Sequence, residues 1–465
     1  MIGQFADAVT RGVGDMTSSV TDVFDPTLRL GVTGLSRAGK TVFITSLVAN
    51  LIDRGRMPAF SAGARIDAAF LQPQPDDAVP RFDYEAHLAA LTARDPHWPE
   101  GTRAISELRL SMKVRRGGML SGLRGLRTVH LDIVDYPGEW LLDLGLMERS
   151  YEDWSERALA RLAAWEVPYD AASVDGAAKL EEPQAQRLAR DYTAAMQAAR
   201  TAGAYDLTPG RFLLPGEMAG SPALTFAPLP PGEAPRGSLR REMARRFEAY
   251  KRHVVQPFFR DHFARLDRQV VLLDVLGAIR QGPHAVEEMR AAIADVLSAF
   301  KPGALGWLMQ LLGARRVDRI LFAATKADHL HHTQHARLTA ILEAMVKDAK
   351  ARADFAGART QAISMAALRA TVEETREHEG RHVALVRGRV LEDGMPGREV
   401  ALHPGDLPDD PAHILTPARR GARTWPEGDY DLVDFAPAPL TLRRGEGPPH
   451  VRLDRAAEFL LSDRL

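Results

Sequence analysis

Gly34-Leu35-Ser36-Arg37-Ala38-Gly39-Lys40-Thr41 is the stretch that decides how this chain folds. It follows a short apolar run over 28–33 and opens onto Val42-Phe43-Ile44-Thr45-Ser46-Leu47-Val48-Ala49-Asn50-Leu51, whose apolar positions recur at helical spacing. A G-x-x-x-x-G-K-[ST] pattern between a strand and a helix is a phosphate cradle. Its glycines let backbone N–H groups wrap the anion, and the positive end of the helix faces the same charge. Ser36, Arg37, Ala38, Gly39, Lys40 and Thr41 then line the phosphates, with Lys40 reaching the β- and γ-phosphates and the Thr41 hydroxyl on Mg²⁺. A chance Gly-rich turn is the alternative reading, and the strand, the loop, the Lys-Thr pair and the helix together argue against it.

Downstream, Glu107-Leu108-Arg109-Leu110-Ser111-Met112-Lys113-Val114-Arg115 alternates strictly and predicts a half-exposed strand. After a Gly-rich turn comes Val129-His130-Leu131-Asp132-Ile133-Val134-Asp135, so the pair reads as an antiparallel hairpin at a sheet edge. The second strand runs into Asp135-Tyr136-Pro137-Gly138. An Asp at a strand's carboxyl end can hold Mg²⁺ through its water, and Gly138 can offer its N–H to a γ-phosphate. Val270-Val271-Leu272-Leu273-Asp274-Val275-Leu276 is apolar enough for a buried central strand. A further strand over 317–324 delivers Thr325-Lys326-Ala327-Asp328, of the form [NT]-K-x-D. The Asp328 carboxylate can accept from the N1–H and N2–H₂ edge of guanine while the Lys326 stem lies along the purine. Adenine lacks that donor pair, and a buried carboxylate left unpaired would reject it by a factor on the order of 10⁴. A last strand, 359–363, places Ser364-Met365-Ala366 as the short loop backing the base.

The chain has 465 residues, too many for one simple core; 45% are apolar and 26% charged, as in ordinary globular proteins. With 60 basic and 61 acidic side chains the net charge is -1, so no nucleic-acid footprint shows and no nucleic-acid partner is expected. The absence of cysteine excludes disulfides, thiol nucleophiles and Cys-based zinc sites. No secretory signal or membrane-spanning run is visible, which makes the cytoplasm the expected location. Residues 1–24 carry an apolar stripe that either packs on the parent domain or lies on a membrane surface, a peripheral contact at the inner membrane. Residues 52–104, rich in Pro, Asp, Arg and Ala, read as a partly helical excursion, and 145–267 as a helical insertion. Arg240, Arg241, Arg245, Arg246, Lys251 and Arg252 make the helix over 239–263 the most basic surface, a solvated face or else a headgroup site. His331 and His335 share helical spacing, but no nearby carboxylate completes a metal site, and a polar turn is favoured.

Together these elements resemble a Ras-like GTPase of the TRAFAC group enlarged by insertions, and more closely the YcjX-like proteins, a bacterial family often described as ATPases. The residues that carry the likeness are GLSRAGKT at 34–41, Trp98-Pro99-Glu100-Gly101-Thr102, Ile105-Ser106-Glu107-Leu108-Arg109-Leu110, DYPGEW at 135–140, the run over 320–329, and Pro449-His450-Val451-Arg452-Leu453. The resemblance implies an α/β fold: a Ras-like P-loop NTPase sheet, mostly parallel with one antiparallel edge strand, a helical insertion and a small β-rich C-terminal addition. The expected divisions are 1–144 and 268–370 for the two halves of the nucleotide domain, 145–267 for the insertion and 371–465 for the β-rich region with a final helix. It implies GTP/GDP and Mg²⁺ as ligands, slow GTP hydrolysis, a protein effector and a stress-associated switch role. An ATPase of the same fold and a slow nucleotide-dependent scaffold at the inner membrane are the alternatives. Glu139 stands where small GTPases often place a water-orienting Gln, and Arg37 occupies a loop position usually given to a small residue or Asn. Both are candidate catalytic residues beside Lys40, Arg37 either as an arginine finger in cis or as a solvent-facing side chain. Thr102 is the candidate switch threonine on the metal, with Thr92 as fallback.

Overall fold

The computed structural model describes residues 25–35, 37–101, 104–115, 126–262, 265–298, 317–378, 380–392, 394–425, 430 and 432–465. The expectations for residues 1–24, Ser36 and Thr102 lie outside the described residues. Among them one sheet of seven strands organises the chain: β1 (Thr27–Gly34), β2 (Ile66–Gln72), β3 (Ser106–Arg115), β4 (Leu126–Asp135), β5 (Arg268–Leu273), β6 (Arg319–Ala324) and β7 (Arg359–Ser364), in the order β2-β3-β4-β1-β5-β6-β7. From β4 through β7 all pairs are parallel, and β3 is antiparallel to both its neighbours. This is the mostly parallel α/β sheet expected. The hairpin β3–β4 forms as read, but β3 is not outermost, because β2 pairs outside it. Ile-Asp-Ala-Ala-Phe-Leu-Gln alternates weakly and two of its seven residues are alanine, so its strand character comes from pairing with β3 rather than from its own pattern.

Among the described residues, the α-helices of five residues or more are α1 (Lys40–Ile52), α2 (Tyr84–Thr92), α3 (Gly138–Leu142), α4 (Tyr151–Ala164), α5 (Glu182–Ala202), α6 (Leu239–Tyr250), α7 (Gln256–Asp261), α8 (Val275–Gln281), α9 (Pro283–Ser298), α10 (His335–Phe355), α11 (Ala412–Arg419) and α12 (Leu453–Leu461). Period-2 alternation sends one set of strand residues to each face of the sheet. Leu30, Val32, Val270, Leu272, Leu321 and Ala323 pack with α1 and α12, whereas Val134, Val271, Leu273, Ile320, Phe322 and Ala324 pack with α9, α10 and the insertion helices. The insertion is thus continuous with the core. Its own centre is Trp154, stacked on Phe247 at 5.1 Å and met edge-on by Tyr192 and Phe226.

Leu453, Ala456, Ala457, Leu460 and Leu461 lie in the same apolar cluster as α1 and β1, so the final helix, α12, packs on the seven-stranded sheet. The β-rich unit, β8 (Val372–His378), β9 (Arg381–Glu392) and β10 (Met395–Leu402), is an insertion between β7 and that helix. No described helix is long and apolar enough to cross a membrane. Because Leu460 is fully buried beneath the sheet, Leu460→Ala should cost about 3 kcal/mol in the main urea transition of the whole protein. A loss confined to a separate minor transition would contradict this placement.

Candidate functional site

Strand register brings the quoted motifs to one rim. Val32 pairs with Asp135, Gly34 with Leu272, Leu273 with Ala324, and Ala324 with Ser364, so the carboxyl ends of β4, β1, β5, β6 and β7 finish nearly level. Ligands of open α/β sheets bind outside such an edge.

At the β1 end, Gly39 takes φ +79, a left-handed turn that glycine adopts without strain, and α1 starts at Lys40. The helix has no side-chain cap and no acidic residue in its first turn, which leaves its first N–H groups for an anion. Lys40 is buried and its Nζ donates to the Gly34 carbonyl at 3.1 Å, across the loop it is expected to serve. Asp135 is 2% exposed at the end of β4. Gly138 approaches the phosphate loop so closely that a Cβ would fall 1.8 Å from the Gly34 oxygen, and only glycine fits there. The Thr41 hydroxyl donates to the Glu100 carbonyl at 3.4 Å, which brings the segment leading to Thr102 onto the expected metal ligand. Thr92, the fallback, ends α2 with its hydroxyl donating to Leu88 O. A cationic, glycine-lined cradle beside a buried carboxylate suits a Mg²⁺-bound triphosphate.

At the β6 end, Thr325 N donates to Leu273 O and Lys326 turns into the left-handed region at φ +58. Its Nζ donates to Asp274 Oδ2 at 2.6 Å and Asp434 Oδ1 at 3.0 Å. Burial works against the ammonium, but the two carboxylates outweigh it and raise its pKa. Asp328 is 3% exposed and its Oδ2 accepts from Ala370 N at 2.7 Å, an interaction that fixes the plane of the carboxylate. Ser364 and Met365 are fully buried. The Ser364 hydroxyl donates to His335 O and accepts from Arg452, and Met365 O accepts from Ala327 N. Met365 thereby braces the Lys326–Asp328 turn through its carbonyl, and Ser364 ties the end of β7 to α10 and to Arg452.

The two candidate catalytic side chains stand differently from each other. Arg37 is exposed, at φ +64 in the left-handed region. Glu139 is buried, with Oε1 3.2 Å from Arg200 Nη2 in the last turn of α5. The carboxylate expected to face a γ-phosphate is thus engaged by the insertion. The rest of α3 is held the same way: Trp140 Nε1 donates to Leu214 O, and the Arg211 guanidinium lies 3.2 Å over the Trp140 ring. Asp143 accepts from Gly210 N at 2.8 Å and from the Tyr250 hydroxyl at 2.5 Å. Burial pushes the Asp143 carboxyl up to about 7 despite those bonds. Asp274, Arg200, Asp143 and Asp434 were not singled out by motif; only Asp274, at a strand end in an apolar run, carried a sequence signal.

Two secondary readings also change. His335 leaves the histidine pair: its Nε2 donates to Ala327 O and its Nδ1 accepts from Arg452. A carboxylate does approach His331 and His332, namely Glu373 from β8, at 2.6 Å from His332 Nδ1 and 3.9 Å from His331 Nε2, with Arg369 on its other oxygen. A carboxylate shared between Arg369 and His332 makes an ion-paired turn. Of the basic residues over 239–263, Arg240, Arg246 and Lys251 are buried, and Arg246 pairs with Glu182 and Glu242. They do not make one open basic face.

A family model described as the YcjX-like family, DUF463, matches residues 28–465. The chain is 34% identical to the Ras-like GTPase YcjX of Escherichia coli (strain K12) over 97% of this chain and 98% of that protein. It is also 34% identical to the Ras-like GTPase YcjX of Shewanella oneidensis over 95% of each.

The buried Asp143 yields a pH test. A carboxyl whose pKa is raised on folding contributes stability that is complete below its unfolded value near 4 and is lost as pH rises through about 7. Urea denaturation of wild type and Asp143→Asn should show wild type losing stability relative to the variant between roughly pH 4 and 7. A constant difference over that range would mean that Asp143 is ionised throughout.

Proposed function

The chain belongs to the YcjX-like family, and on that premise we propose that it binds guanine nucleotide with Mg²⁺ and hydrolyses GTP. The observation carrying this reading is the common rim: Lys40, Asp135 with Gly138, and Lys326 with Asp328 follow the carboxyl ends of β1, β4 and β6, which with β5 lie side by side in one sheet. Lys40 exchanges the Gly34 carbonyl for β- and γ-phosphate oxygens, a contact between opposite charges in place of one with a neutral dipole. Gly138 N–H reports the γ-phosphate. Thr41 and Asp135 are the residues that would hold Mg²⁺, which when bound would offset the negative charge of the phosphates. Asp328 accepts the two guanine N–H groups while the Lys326 stem covers the ring.

Hydrolysis then rests on positioning and charge stabilisation. Glu139 can orient a water only after its carboxylate leaves Arg200, so turnover without a partner is slow. The protein works as a cytoplasmic, stress-associated switch for a protein effector, with peripheral contact to the inner membrane.

Competition against a labelled guanosine diphosphate should show GTP displacing it and ATP failing to. Asp328→Asn should weaken guanine nucleotides at least about tenfold and favour xanthine nucleotides, whose C2 carbonyl suits an amide donor. Lys40→Ala should abolish binding. Equal competition by ATP and GTP would replace this reading with an ATPase.

A further inference from the structure

The β-rich insertion sends one segment, residues 432–436, back across the base end of the rim. Its backbone is fixed by Leu391 N donating to Asp434 O and Ala436 N donating to Arg389 O, both at 2.8 Å. From that anchored strand the Asp434 carboxylate spans two cations: Oδ1 lies 3.0 Å from Lys326 Nζ, and Oδ2 accepts from Arg280 Nη2 at 2.7 Å. Arg280 stands on α8, whose N-cap is Asp274, the other carboxylate on Lys326. Lys326 is therefore gripped from the sheet side by Asp274 and from the insertion by Asp434. Burial disfavours the Asp434 charge, yet Lys326 and Arg280 outweigh it and hold its pKa well below the carboxylate range, so the grip is ionised at neutral pH.

The neighbouring residue extends the contact to both ends of the site. The Phe435 ring meets His329 edge-on at 5.0 Å, directly after the Asp328 turn. The Phe435 carbonyl accepts from Trp98 Nε1 at 2.9 Å, two residues before the Glu100 carbonyl that Thr41 touches. Trp98 also packs into the small apolar cluster of Ala370, Val386 and Phe435.

We propose that Asp434 is a positioning residue for nucleotide binding: it holds the Lys326 stem flat against the purine face. The proposal rests on the guanine-nucleotide reading of this site. An ammonium has three N–H donors. Two are taken by Asp274 and Asp434, and the third is left for a sugar oxygen. Fixing two donors removes most of the rotamer freedom that a lysine would otherwise lose on binding, so the insertion contributes affinity without touching the ligand. Because the stem covers the ring and reads no edge, its contribution is the same for any purine that Asp328 accepts.

The test is the dissociation rate of a fluorescent guanosine diphosphate from the full chain, with GDP and IDP, which lacks the 2-amino group, as competitors. Asp434→Asn should release nucleotide about tenfold faster, with the GDP-to-IDP affinity ratio unchanged. Asp434→Glu should recover part of the loss. The thermal midpoint of the nucleotide-free Asn variant should stay close to wild type, which separates positioning from general damage. Release at the wild-type rate or slower would overturn the proposal, as would a shift in the GDP-to-IDP ratio or a nucleotide-free midpoint that falls in step with affinity. A wild-type chain that binds no guanine nucleotide would remove the functional reading itself, an outcome distinct from wild-type binding with an indifferent Asp434→Asn.

Discussion

The Gly34 carbonyl is the point on which the rim depends. Gly34 ends β1 in register with Leu272 of β5, its oxygen accepts from Lys40 Nζ, and Gly138 is pressed against it from the end of β4. A side chain at 138 would collide with that oxygen, and a shift of β1 by one residue would exchange the two faces of the sheet. The phosphate cradle and the segment after Asp135 are consequently set by the same parallel pairing that builds the core. Little separate machinery is needed to bring them together.

The two large insertions are bound to this edge in complementary ways. The helical insertion holds α3 through Arg200 on Glu139, Gly210 and Tyr250 on Asp143, and Leu214 on Trp140. The β-rich insertion holds the other end through Ala370 on Asp328 and Asp434 on Lys326. On the proposed reading, the first touches the phosphate end of the site and the second the base end. A change at either end has a direct mechanical route into one insertion, because the contacts are buried hydrogen bonds and ion pairs that must break or re-form. The Thr41 to Glu100 and Trp98 to Phe435 contacts join the two ends through the segment that leads to Thr102.

What the sequence made legible was local. The phosphate loop, the Asp135 and Thr325–Asp328 strand ends and the buried β5 each announce themselves within ten residues, because turn chemistry and hydrophobic period are short-range properties. β2 escaped because its pattern is weak and its partner lies some 40 residues on. The apolar face of α12 shows in the sequence, but which core receives it across the β8–β10 insertion does not. Glu373 meeting His332, Arg200 meeting Glu139, and Asp434 meeting Lys326 are pairings between distant segments, and charged residues carry no mark of their partner. The turn at the end of β7 shows in the sequence at Ser364 and Met365, but which way it faces depends on the packing of His335 and Arg452 around it.

The central claim is that three separated segments form one guanine-nucleotide site. Hydrogen–deuterium exchange of the full chain, with and without Mg²⁺ and GDP, tests it most directly. The backbone amides of 34–41, of 135–139 and of 325–328 should slow together on adding GDP and stay unchanged with ADP. Protection confined to 34–41, or equal protection by ADP, would contradict it.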